Sequence, residues 1–408
     1  MCFLCQNPEA KTLQTLTRLN CRNCLNLTQL PSLPALTRLN CSRCPGLTQL
    51  PSLPALTHLD CYSCPNLAQL PSLPALVWLN CAGCPKLTQL PELLPALTGL
   101  NCYNCPNLAH LPSLPAVTTL NCSQCPSLTH LPSLPAVTRL DCAVCPNLAH
   151  LPSLPALTWL DFSKCLSLAQ LPSLPAVTRL YCIDCPNLAH LPSLPAVTTL
   201  NCSQCPSLTR LPSMPVLISL NCHQCPGLTQ LPSLPALLRL ICYGCPGLTH
   251  LPSLPALNSL NCSQCSSLTR LPELLGLIYL NCHGCPSLTQ LPSLPAVTRM
   301  VCYRCPGLTQ LSSLPALTYL DCQGCTWLDC SDCPLPRKNP DYQQNVRHLL
   351  YLQTWFRRWA PLKRLRRWVR SEEFNAWYYS PGQPGQLRSE LRWHRKCDQG
   401  LRTTYHKV

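Results

Sequence analysis

Apolar positions recur along most of the chain with a period of twenty residues. Over residues 37–42, apolar and polar residues alternate, which is typical of a β-strand with one buried face. Leu39 and Cys41 are predicted to point into a core. The residues predicted to face outward are Arg38, Asn40 and Ser42. One such short strand in every period predicts a stack of similar strands.

The other half of each period is rich in proline. Pro51 and Pro54 each lack a backbone N–H and restrict the residue before them, so this stretch cannot be an ordinary helix. We expect an extended or polyproline-like segment there, with Leu47, Leu50 and Leu53 turning back into the core. Parallel strands need a return path of this kind, and the sequence therefore predicts a parallel β-solenoid.

The repeated unit reads L-x-x-L-[ND]-C-x-x-C-P-x-L-[TA]-x-L-P-S-L-P-A. Its first cysteine recurs sixteen times between Cys21 and Cys322, except that Phe162 replaces it once. One extra leucine, at Leu93, shifts the register by a single residue. A period of this length, repeated so often, is the sequence signature of a solenoid.

These repeats resemble the leucine-rich repeat family over about residues 13–333. The segment 36–47, LTRLNCSRCPGL, fits the family consensus L-x-x-L-x-L-x-x-[NC]-x-x-L. The L-P-S-L-P tail is similar to the short repeats of bacterial effector proteins, the paired cysteines to cysteine-containing leucine-rich repeats, and the overall style to repeat proteins of large DNA viruses. The resemblance implies a horseshoe with a parallel sheet on its concave face and an extended, polyproline-like convex face.

Charge is unevenly distributed along the chain. The net charge is +15, and residues 336–408 hold 16 Lys or Arg against 5 Asp or Glu, together with five of the eight tryptophans. This change in composition predicts a domain boundary. The predicted parts are a partial N-terminal repeat or cap over 1–12, sixteen repeats over 13–325, a shortened terminal repeat or cap over 326–336 and a basic, Trp-rich helical tail over 337–408.

The 36 cysteines have three interpretations: core packing, metal binding and disulfides. The spacing from Cys44 to Cys61 suits a four-thiolate zinc site, but a twenty-residue period produces it automatically. Phe162 favours packing, because an aromatic ring cannot replace a metal ligand. We therefore predict buried free thiols and no cofactor. The terminal cysteines are the best metal candidates, and they are Cys322, Cys325, Cys330 and Cys333.

Variation between repeats collects at one outward strand position, where Arg, Trp and Tyr recur. These residue types are enriched at interaction hot spots. The alternative is that the position is simply solvated and unconstrained. The predicted partner-binding residues are Arg38, His58, Trp78, Arg139, Trp159, Arg179, Arg239, Tyr279, Arg299 and Tyr319.

The basic tail is predicted to contain an amphipathic helix over 341–359 and a short basic helix after Pro361. It could cap the solenoid, contact nucleic acid or another phosphate-bearing surface, or act as a membrane-surface or calmodulin-like target helix. The basic residues that carry the second and third hypotheses are Arg357, Arg358, Lys363, Arg364, Arg366, Arg367 and Arg370.

The sequence contains no phosphate-binding glycine loop, H-E-x-x-H or G-x-S-x-G motif, and we expect no enzyme activity. No secretory signal or membrane-length apolar stretch is visible, so we expect a cytoplasmic protein, in the host cytoplasm if the chain is viral. The predicted function is a scaffold or adaptor that binds an unknown protein partner on the concave face. The alternatives are a thiolate metal array and nucleic-acid or membrane-surface association through the tail; the oligomeric state is left open.

Overall fold

The computed structural model describes residues 14–308, 311 and 314–322 of the chain. Backbone contacts divide the chain between Leu237 and Leu238 into two compact units, named here the N-terminal unit and the C-terminal unit. Each unit is a parallel β-solenoid in which every repeat contributes one three-residue strand. The described residues contain no α-helix.

Eleven strands form the sheet of the N-terminal unit, and five form that of the C-terminal unit. In the N-terminal unit they are β1 Arg18–Asn20, β2 Arg38–Asn40, β3 His58–Asp60, β4 Trp78–Asn80, β5 Gly99–Asn101, β6 Thr119–Asn121, β7 Arg139–Asp141, β8 Trp159–Asp161, β9 Arg179–Tyr181, β10 Thr199–Asn201 and β11 Ser219–Asn221. In the C-terminal unit they are β12 Arg239–Ile241, β13 Ser259–Asn261, β14 Tyr279–Asn281, β15 Arg299–Val301 and β16 Tyr319–Asp321.

Neighbouring strands within a unit pair in parallel and in register, so that equivalent residues of successive repeats stand side by side. Leu39, for example, pairs with Leu59, and Arg38 pairs with His58. The ladder of hydrogen bonds continues past the strand, since the Cys41 N–H donates to the Asp60 carbonyl at 2.8 Å. The parallel solenoid predicted from the sequence is therefore confirmed.

The core of each repeat is built from the inward leucines and both cysteines. In the repeat around β2, none of these side chains is more than 7% exposed. They are Leu36, Leu39, Cys41, Cys44, Leu47, Leu50 and Leu53. Burying a leucine contributes about 2 kcal/mol, so the repeated inward leucines are the main source of stability. The predicted return of the proline-rich leucines into the core is confirmed.

The predicted strand over residues 37–42 is too long, and one of its outward assignments is wrong. The strand ends at Asn40, whose Oδ1 accepts hydrogen bonds from the Ser42 N–H at 3.0 Å and the Ser42 hydroxyl at 2.7 Å. This turn folds Ser42 inward, where it is only 3% exposed. Asparagine and aspartate favour such turns because their side chains accept from the backbone two residues on.

A left-handed residue precedes the second cysteine of every described repeat from Asn23 to Arg304, at φ values between 54° and 69°. It turns the chain sharply after the strand and returns the second cysteine to the core. Glycine occupies this position only at Gly83, Gly244 and Gly284. Elsewhere a side chain tolerates the left-handed conformation at a cost of roughly 1–2 kcal/mol.

Candidate protein-binding surface

The ten predicted partner-binding residues occupy one structural position, the first residue of a strand. We call the set of first strand residues the strand-start row. Its side chains are exposed or half-exposed, while the leucine or methionine that follows each of them is buried. The threonines before the strands support the row, because many of their hydroxyls donate to a carbonyl of the preceding repeat, as Thr138 does to Thr118 at 3.1 Å.

Parallel pairing brings most of the ten residues into groups. In the N-terminal unit, Arg38, His58 and Trp78 stand on successive strands, as do Arg139, Trp159 and Arg179. In the C-terminal unit, Tyr279, Arg299 and Tyr319 are successive. Arg239 instead pairs with Ser259, which gives it no aromatic or basic neighbour on that strand.

The best-ordered group lies on β7, β8 and β9. The Arg139 guanidinium carbon is 3.7 Å from the centre of a Trp159 ring, which is a close cation–π contact. The Tyr181 ring lies 5.8 Å from Trp159 on the other side, tilted by 48°. Trp159 is therefore held between two neighbours and not free to rotate.

Tyr181 was not among the predicted site residues. The sequence carried a signal for it, because Tyr181 stands where most repeats have the Asn or Asp that closes the turn after the strand. At the equivalent position of β7, two strands away, partial burial raises the pKa of Asp141, and the Ala143 N–H, which donates to Asp141 Oδ1 at 3.2 Å, opposes that shift.

Arg299 forms a second group in the C-terminal unit. Its guanidinium lies 4.8 Å from the Tyr319 ring and 5.9 Å from the Tyr279 ring. Two further rings missed by the sequence prediction, His283 and Tyr303, stack at 4.5 Å and 10°. Burial lowers the pKa of His283, whose Nδ1 lies 2.9 Å from Asn281 Oδ1. This unit therefore exposes aromatic and basic side chains that are already in mutual contact.

A pocket of about 410 Å³ opens on the sheet face of β1 to β4. Arg18, Arg38, His58 and Trp78 of the strand-start row line it, together with Asp60. Arg18 was not among the predicted binding residues, although it occupies the same position of the repeat as Arg38. Its place beside Arg38 depends on the pairing of β1 with β2.

The cysteines form a buried ladder. The second cysteine of a repeat donates its thiol to the backbone carbonyl of the first cysteine of the preceding repeat, as Cys145 does to Cys122 at 3.2 Å. Cys185 makes the same bond to the Phe162 carbonyl at 3.4 Å. The second position is a cysteine in all sixteen repeats of the sequence. The first position accepts Phe162, although the thiols of Cys21 and Cys102 each donate to a carbonyl of the next repeat at 3.4 Å.

That ladder occupies the consensus position where leucine-rich repeats carry Asn or Cys. Strands, parallel register and ladder all recur with the twenty-residue unit. The fold is a leucine-rich repeat solenoid. In it the cysteines of the described residues form no disulfide, and all of them except Cys322 are buried.

Burial sets the chemistry of many of these thiols. It raises the pKa of Cys122 and Cys145 above the ordinary value, and that of Cys225 to about 12. Where two thiols adjoin, as at Cys41 and Cys64, the hydrogen bond between them raises the pKa of Cys41, as does its burial, and lowers that of Cys64. Among residues 14–308, 311 and 314–322, no group of three or more His, Cys, Asp or Glu side chains is arranged to hold a metal ion.

Several predicted features lie outside the described residues. They are the caps over 1–12 and 326–336, the tail over 337–408 with its seven basic residues, and three of the four terminal cysteines, Cys325, Cys330 and Cys333. Cys322 is described and half-buried. In the part of the chain that is described, no helix has the length and apolarity needed to cross a membrane.

No protein-family model and no curated protein sequence matches the chain. Among solved structures, YopM from Yersinia enterocolitica WA-314 aligns at 28% identity with a TM-score of 0.48, covering 76% of this chain and 79% of YopM. A leucine-rich repeat protein from Bacteroides ovatus ATCC 8483 aligns at 16% identity with a TM-score of 0.37, covering 77% and 81% of the respective chains. What this chain binds must be argued from its own side chains.

Proposed function

We propose that this protein is a non-enzymatic interaction scaffold that binds a protein partner on the outward face of its sheet. The observation that carries the proposal is the contact of Arg139 with Trp159 at 3.7 Å on that face. A tryptophan that is half-exposed and already held by its neighbours loses little conformational freedom when a partner covers it. Arg, Trp and Tyr are also the residue types that most often dominate binding energy.

The other strand-start groups support the same proposal. Trp78 is 39% exposed and so offers an uncovered aromatic surface, and Arg299 lies between two tyrosines in the C-terminal unit. We propose the ten predicted residues as contacts and add Arg18, Tyr181, His283 and Tyr303 to them. We further propose a reducing compartment such as the cytoplasm, where the buried cysteines would remain thiols.

Site-specific photo-crosslinking tests this proposal. A benzophenone amino acid at Thr119, which is exposed at the first position of β6, should cross-link a protein partner in extracts of cells that express the chain. The same group at Ser133, which is exposed on the proline-rich side of the repeat, is the matched control. Cross-links from Ser133 alone, or from neither position, would refute binding on the sheet face.

Substitution of the predicted contact residues measures how much they contribute to partner binding. The double change Arg139→Ala and Trp159→Ala should weaken capture of the cross-linked partner at least about tenfold, as expected for two hot-spot residues. The control Leu93→Ala removes an apolar side chain that is 73% exposed and lies outside the strands. It should leave capture of the partner unchanged. Equal effects of the two variants would contradict the proposed site.

A further inference from the structure

The sheet face of β1 to β4 differs from the rest of the strand-start row in its charge. Arg18 and Arg38 are the only two arginines that occupy neighbouring strands of the row within a unit, and His58 follows them on β3. All three line the pocket of about 410 Å³. The loops after β1 and β2 add Arg22 and Arg43.

Asp60 is the one acidic side chain that lines this pocket. Its Oδ1 accepts hydrogen bonds from the Tyr62 N–H and from Asn80 Nδ2, each at 3.2 Å. The carboxylate thus closes the turn after β3, as the equivalent asparagines do in neighbouring repeats. It therefore offsets only part of the positive charge of the two arginines.

Trp78 adds an apolar wall at one side of the pocket. A Cβ atom at Gly99, the next position of the row, would lie 2.9 Å from Trp78 Cδ1. The indole therefore leans across β5, and only glycine leaves room for it there. The pocket therefore combines two guanidinium groups with an exposed aromatic ring.

On the strength of the proposed scaffold function, we propose that this pocket binds an acidic peptide segment of the partner in extended conformation. Two carboxylates of the peptide would pair with Arg18 and Arg38, since guanidinium binds carboxylate through two parallel hydrogen bonds. The distance from β2 to β4 is two strand spacings, roughly 10 Å, which an extended peptide covers in about three residues. An apolar side chain about three residues after the second carboxylate would then pack on Trp78.

The distribution of positive charge along the strand-start row favours a peptide over a nucleic acid as the ligand. A single-stranded nucleic acid needs a basic groove that follows many phosphates. Positive charge in this row is interrupted after Arg38, because His58, Trp78, Gly99 and Thr119 separate it from Arg139. A site three repeats long suits a short acidic segment and would hold only a few phosphates.

Fluorescence anisotropy with the full chain tests the assignment. The probe is a fluorescein-labelled peptide, Glu-Gly-Glu-Gly-Gly-Leu, and the expected result is binding that weakens as salt rises, since the arginines are exposed. Arg18→Gln with Arg38→Gln should weaken binding at least about tenfold. The matched control, Arg210→Gln with Arg270→Gln, removes the same charge from exposed positions outside the strand-start row and should change binding less than about twofold.

Each of four further outcomes would overturn the assignment of an acidic peptide to this pocket. Equal loss in the two double variants would mean general charge attraction and would overturn the pocket. A probe with Gln for Glu that binds as well as the original would overturn the acidic specificity. Oligouridylate that binds more tightly than the peptide, and is lost with Arg18 and Arg38, would replace the peptide by nucleic acid. If Thr119 cross-links a partner while the acidic peptide does not bind, the scaffold stands and this inference fails.

Discussion

At the residue scale, the two cysteine positions of the repeat differ in the side chains that they accept. The first position also accepts an apolar side chain without a donor, as Phe162 shows. The second position carries a thiol that donates a hydrogen bond to the preceding repeat, as Cys145 does at 3.2 Å. A thiol is a weak donor, yet a buried carbonyl that loses its partner still costs free energy.

Alanine substitution at Cys122 and Cys145 separates these two roles. Both side chains are 0% exposed and lose the same atom, so their packing losses should be similar. Cys145→Ala also removes the thiol donor to the Cys122 carbonyl, and we expect it to cost about 1 kcal/mol more than Cys122→Ala. Urea denaturation followed by circular dichroism measures the difference, and equal losses would show that the thiol bond contributes nothing.

The sequence predicted much at this scale, but not everything. The exchange of Cys for Phe162 correctly indicated packing, and the consensus correctly placed the second cysteine at the turn. Ser42 was assigned outward because strict alternation was carried past Asn40. The turn that Asn40 closes ends the alternation, and the residue after it is buried only where its side chain is short: Ser42 is 3% exposed, whereas Tyr62 after the equivalent turn at Asp60 is 37% exposed.

At the element scale, the repeat tolerates an extra residue where it does not interrupt the ladder. Leu93 is 73% exposed, while Leu94 takes the buried place at 1%. The insertion therefore forms a bulge in the proline-rich segment, and β5 keeps its register with β4. An exposed leucine on a bulge contributes little burial and adds chain entropy to the unfolded state.

Deleting Leu93 should restore a twenty-residue repeat without loss of stability. We expect the free energy of unfolding to change by less than about 1 kcal/mol, because no buried side chain is removed. Deleting Leu97, which is 0% exposed, should cost several kcal/mol, as the loss of a core leucine does. A large loss on deleting Leu93 would show that the bulge itself is stabilising.

The positions of the strands were predictable from the sequence, whereas the contacts between side chains of neighbouring strands were not. The period alone places Arg139 and Trp159 at equivalent positions of successive repeats, and parallel pairing makes them neighbours. The 3.7 Å contact and the approach of Tyr181 from a different strand position depend on side-chain rotamers. Repeat periodicity specifies backbone register and leaves these rotamers undetermined.

At the scale of the whole molecule, buried thiols link stability to pH. Cys122, Cys145 and Cys225 have pKa values raised by burial, and that of Cys225 reaches about 12. Such thiols stay protonated in the folded protein while their unfolded counterparts ionise near pH 8.5. Their stabilising effect is complete below that pH and is lost as pH rises towards the folded value, because the unfolded state releases protons that the folded state retains.

We therefore expect the free energy of unfolding to fall between about pH 8.5 and pH 10. Replacing both Cys145 and Cys225 by Ala removes two of the thiols responsible, and the fall should become shallower by up to about 1.4 kcal/mol per pH unit for each. Leu148→Ala is the matched control, because it deletes buried volume without a titrating group and should lower stability equally at every pH. Urea denaturation across this range decides the matter: an unchanged slope in the double cysteine variant would mean that these thiols already ionise in the folded chain.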